Sequence, residues 1–205
     1  IYHPDWALIR DQVKFNRLLP FAEALPALRE QVDQDLRGRK LTWEKVAAIA
    51  VKVLDKTRIR IGNPEYMRQN DSYGLTPLQD DHVAIEGDRI TIEFQGKSGK
   101  QHTIELHDRR LAKLVRQCQE LPGQELFQYI GDDGLQHTLR SNDVNLYLRT
   151  VTGRDFTAKD FRTWGGTVTT LRALGEHGAD KAGSDLSETA RKRAISAAIK
   201  AAAQA

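Results

Sequence analysis

"RITIEFQGKSGKQHTIELH", Arg89 to His107, breaks the rhythm of the sequence on either side of it. Ile90, Ile92 and Phe94 fall on one face and Thr91 and Glu93 on the other, and Ile104 and Leu106 resume the alternation after "GKSGK". A period of two, interrupted by a glycine-bounded turn, predicts a strand, a tight turn and a returning strand. "HVAIEG" just before it adds a third strand through a Gly87-Asp88 turn. Most of the remaining chain carries helical spacing instead, so the fold class is mainly α with a small antiparallel β-sheet (α+β).

Upstream of the hairpin, residues 6–18 and 21–37 predict helices interrupted near Pro20 and Pro26, because an internal proline removes a donor and crowds the preceding turn. "GRK" (Gly38 to Lys40) is a break. Thr42 predicts the N-cap of a helix with Trp43, Val46, Ala47, Ala50, Val53 and Leu54 at helical spacing and Gly62-Asn63 as its stop. Downstream, "DRRLAKLVRQCQEL" is helical with Leu111, Leu114, Val115 and Cys118 on one face. "LFQYI" and "QHTLR" flank Gly131–Gly134 as a weaker strand pair. Ser141 predicts the cap of a helix reaching Arg149. Thr157 caps the next one, with Asp160 placed close to a capping box. "GEHGADKAGSD" reads as a mobile loop before a last helix that starts at Ser184 or Ser187. One domain over residues 1–205 accounts for this; the alternative is two subdomains, 1–123 and 124–205.

The chain has 205 residues, 40% of them hydrophobic, enough for a substantial core. With 31 basic and 28 acidic residues the net charge is only +3, which by itself does not single out a nucleic acid partner. Cys118 is the one cysteine, which excludes an intrachain disulfide and suits a reducing compartment. No apolar run approaches the roughly 20 residues of a membrane span. The chain starts at Ile1, and "AIKAAAQA" carries no helix stop, so both ends are expected to be cut from a longer polypeptide. None of the six histidines pairs with another histidine or with Cys118 at a metal-binding spacing. Gly96–Ser98, "GKS", lacks the upstream glycine and the following helix of a phosphate-binding loop, which argues against a bound nucleotide.

What remains is a set of cations at element ends. Arg60, in "DKTRIRIGN", is expected in the last turn of its helix at the edge of the apolar stripe, with Lys56 one turn back. It can answer the helix dipole or hold an anion. Lys97 tips the hairpin, where it is either a solvated turn lysine or an amine projected by a rigid turn. In "AKDFRTWGG", Ala158 to Gly166, Lys159 and Arg162 share a helix face with Gly165 and Gly166, while Phe161, Trp164, Val168 and Leu171 form a separate stripe expected in the core. Each internal glycine costs a helix about 1 kcal/mol relative to alanine. These two either admit a closely packed neighbour or clear the face for a bulky anion. Separated cations with no metal site suggest a phosphodiester held by side chains alone, since arginine's fork grips two phosphate oxygens and lysine can give up a proton.

In this order the blocks resemble the type IB DNA topoisomerases, specifically their bacterial, poxvirus-like branch. The resemblance covers nearly the whole chain: "YHPDW" is similar to the entry into the catalytic domain, "DKTRIRIGNPEYMRQNDSYGLTPLQDDHV" to the block of the first catalytic arginine, "FQGKSGK" to the lysine hairpin and "AKDFRTWGGT" to the block of the second arginine. It implies the catalytic-domain fold of the DNA breaking-rejoining enzymes. It also implies catalytic roles for Arg60, Lys97 and Arg162, with Lys159 beside the phosphate, and DNA contacts from Lys56, Arg58, Tyr73 and Lys100. The implied reaction relaxes supercoiled double-stranded DNA through a 3′-phosphotyrosyl link. It needs no nucleotide or metal cofactor, and the enzyme is a monomer on the bacterial nucleoid in the cytoplasm. The family's histidine and nucleophilic tyrosine follow the last helix. No tyrosine here follows Arg162, so both are expected beyond residue 205 and the fragment alone is expected to be inactive. Two other readings are a tyrosine recombinase, which shares the Arg, Lys, Arg logic, and a non-catalytic DNA-binding module.

Overall fold

The computed structural model describes residues 15–179 and 188–204. Their helices are α1 (Leu18–Asp35), α2 (Trp43–Thr57), α3 (Pro64–Asn70), α4 (Arg109–Gln119), α5 (Ser141–Thr152), α6 (Ala158–Ala179) and α7 (Glu188–Gln204). Their strands are β1 (Val83–Glu86), β2 (Arg89–Gln95), β3 (Gln101–His107), β4 (Gln128–Ile130) and β5 (Gln136–Thr138). The mainly helical class with small antiparallel sheets is the one the sequence predicts. The chain divides into two units: Pro20–Phe161, and Ile1–Leu19 with Arg162–Ala205.

In the first unit, β1-β2-β3 form an antiparallel sheet, and β2 pairs with β3 from Arg89↔His107 to Gln95↔Gln101. That register puts Ile90, Ile92 and Phe94 together on the buried face, as the alternation requires. β4 and β5 make the second, two-stranded sheet.

Helix α2 packs against α4, α5, β3 and β4. Every residue from Lys45 to Val51 is buried, so it is a central helix rather than an amphipathic one. Thr42 caps it, accepting the Lys45 amide at 3.4 Å. Buried Lys45 donates its Nζ to the Gly38 carbonyl (2.7 Å) and to Gln117 Oε1 (3.0 Å), tying the break before α2 to α4. Burial lowers the pKa of this amine, partly offset by Cys118.

Several local expectations are corrected. Helix α1 runs unbroken through Pro20 and Pro26. An interior proline costs about 3 kcal/mol, but Phe21, Leu25, Leu28 and Val32 are buried along one stripe, each contributing about 1.5–3 kcal/mol. Helix α2 stops at Thr57, not at Gly62-Asn63, because Arg58 turns left-handed (φ 56°) with its amide on the Leu54 carbonyl at 2.8 Å. Ser141 is the first residue of α5 rather than its cap; Asp143 reaches back to the Arg140 amide at 2.7 Å. Helix α6 continues through Gly175 to Ala179, where a loop was expected. The rest of that stretch, and residues 6–14 of the first predicted helix, lie outside the described residues. Of the α6 stripe expected in the core, Phe161 is buried, Trp164 and Val168 are half-buried, and Leu171 is 63% exposed.

Candidate functional site

With α2 ended at Thr57, Arg60 stands in an extended segment and not in a last helical turn. Ile59, 4% exposed, plugs this segment into the core and leaves Arg60 exposed. Gly62 then turns left-handed (φ 82°), and Asn63 caps α3 by accepting the Glu65 amide at 2.9 Å. Residues 72–76 cross this segment. The Leu75 amide donates to the Arg60 carbonyl and the Thr76 amide to the Ile61 carbonyl, both at 2.8 Å. The crossing requires glycine on both sides: a Cβ on Gly74 would stand 2.5 Å from the Gly62 Cα and 2.7 Å from the Arg60 carbonyl oxygen.

The same short segment reaches the hairpin. The Tyr73 amide donates to the Gln95 carbonyl at 2.7 Å, and the Ser72 hydroxyl to the Gly96 carbonyl at 3.1 Å. Two hydrogen bonds and two residues of extended chain separate the Arg60 and Gln95 carbonyls, which therefore lie within about 13 Å of each other. Lys97 opens the turn that follows, whose backbone is closed by the Gly96 amide on the Lys100 carbonyl at 2.7 Å and by left-handed Ser98 (φ 66°). Lys97 and Lys100 are exposed. Arg60, Tyr73, Lys97 and Lys100 are thus brought together by one strap of chain.

Tyr73 is half-buried, edge-on to His82 with ring centroids 4.4 Å apart. Burial, then the neighbouring Asp71, raise its phenol pKa. Lys56 is not stacked on Arg60. It faces Asp108 at 3.2 Å, the carboxylate that caps α4 through the Leu111 amide at 2.9 Å. Burial pushes the Asp108 carboxyl up, but the Leu111 amide and Lys56 outweigh it and hold the group below its ordinary value. Arg58, half-buried, forms the left-handed end of α2. Among the described residues, Arg60, Lys97 and Lys100 make no ion pair, whereas Arg29, Lys52, Arg89 and Arg110 each meet a carboxylate.

Lys159 and Arg162 both lie exposed in the first two turns of α6. The start of that helix is firmly fixed. Asp160 accepts the Thr157 amide at 2.8 Å, one arm of the predicted box, and also the Thr157 hydroxyl at 3.1 Å, and Asn145 accepts the Ala158 amide at 3.0 Å. Phe161 packs edge-on against Phe21 with centroids 5.0 Å apart. Arg162 begins the second unit. A Cβ on Gly166 would meet no heavy atom within 4 Å, so of the two readings of these glycines a cleared face is the one that fits Gly166.

Sequence reading found the cations but missed the strap. Its one visible signal was Gly74, between Tyr73 and Leu75, twelve positions after Gly62. Among the described residues, no three His, Cys, Asp or Glu side chains are grouped to hold a metal ion, and no helix is long and apolar enough to cross a membrane.

DNA topoisomerase 1B of Acanthamoeba polyphaga mimivirus is 32% identical over 168 residues, which cover 80% of this chain and 50% of that protein. DNA topoisomerase 1B of Vaccinia virus (strain Copenhagen) is 27% identical over 138 residues, 65% of this chain and 40% of that one. The chain thus spans half or less of the length of these relatives. A solved structure of the XerH site-specific recombinase bound to difH substrate has a TM-score of 0.46 and 16% identity over 82% of this chain and 48% of that one. The model of a family described as "Eukaryotic DNA topoisomerase I, catalytic core" matches residues 6–205. On that match, which takes in the Arg60 segment, the hairpin and α6, the chain belongs to the type IB DNA topoisomerases.

Proposed function

We propose that this chain is the phosphate-holding part of an enzyme that relaxes supercoiled double-stranded DNA by cutting and resealing one strand. The observation that carries the reading is the set of exposed cations Arg60, Lys97 and Lys100, which make no ion pair among the described residues and are strapped to one another. A cation already matched to a carboxylate must break that pair to receive a phosphate; these need not.

In the proposed reaction a tyrosine oxygen attacks the scissile phosphorus. The bond from phosphorus to the 5′-oxygen breaks, and Lys97 delivers a proton to that oxygen as it leaves. Arg60 and Arg162 hold the non-bridging oxygens, whose charge grows in the transition state. Lys159 adds a further cation near the phosphate, and Arg58, Tyr73 and Lys100 contact the DNA beside it. Lys56 is committed to Asp108 and is the weakest member of that set. The covalent link conserves the phosphodiester energy, so the 5′-hydroxyl can reseal the strand without nucleotide hydrolysis.

The nucleophile is assigned outside residues 1–205. Tyr73, Tyr129 and Tyr147 all have phenol pKa values raised chiefly by burial, the opposite of activation. Tyr147 also donates its hydroxyl to Asp35 at 2.5 Å. The viral relatives support the poxvirus-like branch, and the wording "RIGN" and "KDFRTWGG" favours a topoisomerase over a tyrosine recombinase; the reading extends to a bacterial member acting as a monomer on the chromosome.

The test is plasmid relaxation by the complete protein that carries these residues, with trapping of the covalent adduct. The expected result is relaxation with tyrosine joined to a DNA 3′ end, greatly slowed by Arg162→Ala while duplex affinity is nearly kept. A 5′ link, or exchange of strands between two sites without relaxation, would replace the reading.

A further inference from the structure

The Lys97 turn poses a problem that its own residues do not solve. A general acid must be held in place, yet every residue from Lys97 to Lys100 is exposed at the tip of a hairpin. The Gly96 amide closes the turn on the Lys100 carbonyl, but this bond lies within the hairpin and does not fix it to anything else. Among the described residues, the one side-chain hydrogen bond to the base of the turn comes from the strap: Ser72, 8% exposed, donates its hydroxyl to the carbonyl of Gly96 at 3.1 Å, with the Asn70 carbonyl farther off at 3.3 Å. Gly96 is itself buried, and its Cα faces the His102 ring, which stacks on Phe94 with centroids 5.2 Å apart. The residue that precedes the acid is therefore gripped from two sides.

The other end of the strap is rigid. Leu75 and Thr76 bond the backbone of Arg60 and Ile61, and between them Gly74 lies against Gly62 too closely for any side chain. The Tyr73 amide links the strap to the Gln95 carbonyl at the end of β2, and Ser72 carries that link one residue further, to Gly96 beside Lys97.

We propose that Ser72 is a positioning residue that holds Lys97 at the leaving 5′-oxygen, through the Gly96 carbonyl. The proposal rests on the general-acid role of Lys97 given above. Removing the hydroxyl leaves the Gly96 carbonyl with only the Gly99 amide (3.1 Å), a donor from the turn itself, and lets the turn drift, so the step that needs Lys97 slows while steps that do not need it are spared.

The experiment is single-turnover strand cleavage by the complete protein, on duplexes whose leaving group is either the natural 5′-oxygen or a 5′-sulfur that needs little protonation. Ser72→Ala is expected to slow cleavage of the oxygen substrate by about tenfold, the rate equivalent of one lost hydrogen bond. It should leave the sulfur substrate and duplex affinity within about twofold of wild type. Ser72→Thr, which keeps the hydroxyl, should recover the oxygen rate. Ser72→Cys fills nearly the same volume with a weak donor and should reproduce the alanine pattern, which covers the case in which Ser72→Ala does not fold. Equal slowing on both substrates would mean that Ser72 only supports the fold, and no slowing on either would mean that the bond is idle; each overturns the proposal. Lys97→Ala, run in parallel, separates the two levels. If the sulfur substrate does not rescue it, the general-acid reading fails and the Ser72 proposal with it; if it does, a failure of Ser72→Ala stands alone.

Discussion

Gly166→Ala decides between the two readings of the glycines in α6. The substitution adds one methyl group to the interior of a helix that runs from Ala158 to Ala179. Gly165 to Thr170, "GGTVTT", is a run of poor helix formers, together about 4 kcal/mol worse than alanines. An alanine at 166 should recover about 1 kcal/mol of that, because its Cβ would meet nothing within 4 Å. For a chain of this size 1 kcal/mol moves Tm by about 2–4 °C. A DNA backbone lying against the cleared face would meet the methyl group. Overpacking of this kind costs about 1–3 kcal/mol, so duplex affinity or cleavage should fall by roughly five- to 150-fold. The assay is thermal unfolding followed by circular dichroism, paired with duplex binding and single-turnover cleavage at one fixed salt concentration. A lowered Tm would refute the reasoning, since it would mean that Gly166 is packed after all. A raised Tm with unchanged binding and cleavage would refute the functional half, and the face would not belong to DNA.

Three further outcomes follow from the geometry. Gly74→Ala should destabilise by about 2–3 kcal/mol or more in urea titration, because the atoms that crowd its Cβ are backbone and cannot rotate away; a change below about 0.5 kcal/mol would dismiss the crossing. The Asp108 carboxyl is held below its unfolded value, so the stability it adds is present above about pH 4 and is lost as pH falls through the lower folded value. Asp108→Asn, which keeps a capping oxygen, should therefore be less stable than wild type at pH 6 and converge with it in acid; a difference that does not vary with pH would contradict this. Burial pushes the Cys118 thiol up to about 12, so in the native protein at pH 8 about one molecule in ten thousand carries a thiolate and alkylation should follow unfolding; fast labelling without denaturant would disprove it.

The parts of the fold that sequence reading predicts correctly are those set by local period. β2 and β3 follow from alternation, and α4 from the spacing of Leu111, Leu114, Val115 and Cys118, because a pattern of period 2 or 3.6 can bury its apolar face in only one regular structure. What it misses is set by partners far along the chain. Nothing near Pro26 says that Phe21, Leu25, Leu28 and Val32 will all find a core. Nothing near Thr57 says that Arg58 will turn left-handed with no glycine there. The same limit divides the candidate site. Arg60, Lys97, Lys159 and Arg162 stand out because each sits at the end of a recognisable element, whereas Ser72 and Gly74 belong to no element. Their meaning depends on Gly62 and Gly96, twelve and twenty-four residues away, and only the hydrogen bonds between those segments reveal it.

Net charge fails as a guide here for a related reason. A total of 31 basic and 28 acidic residues averages over cations in two situations. On the scaffold, Arg29 meets Asp55 at 2.8 Å, Lys52 meets Asp33 at 3.0 Å and Arg89 meets Glu105 at 2.8 Å, so these charges cancel within a few ångströms and project little field. Around the Lys97 turn, Lys97 and Lys100 are exposed and make no ion pair among the described residues. An almost neutral chain can thus still carry exposed cations that no carboxylate of its own matches. A cation already matched to a carboxylate must give up that pair to receive a phosphate, so under the proposed function Arg60 and Lys97, which make no ion pair among the described residues, can take up a phosphodiester although the chain as a whole is almost neutral.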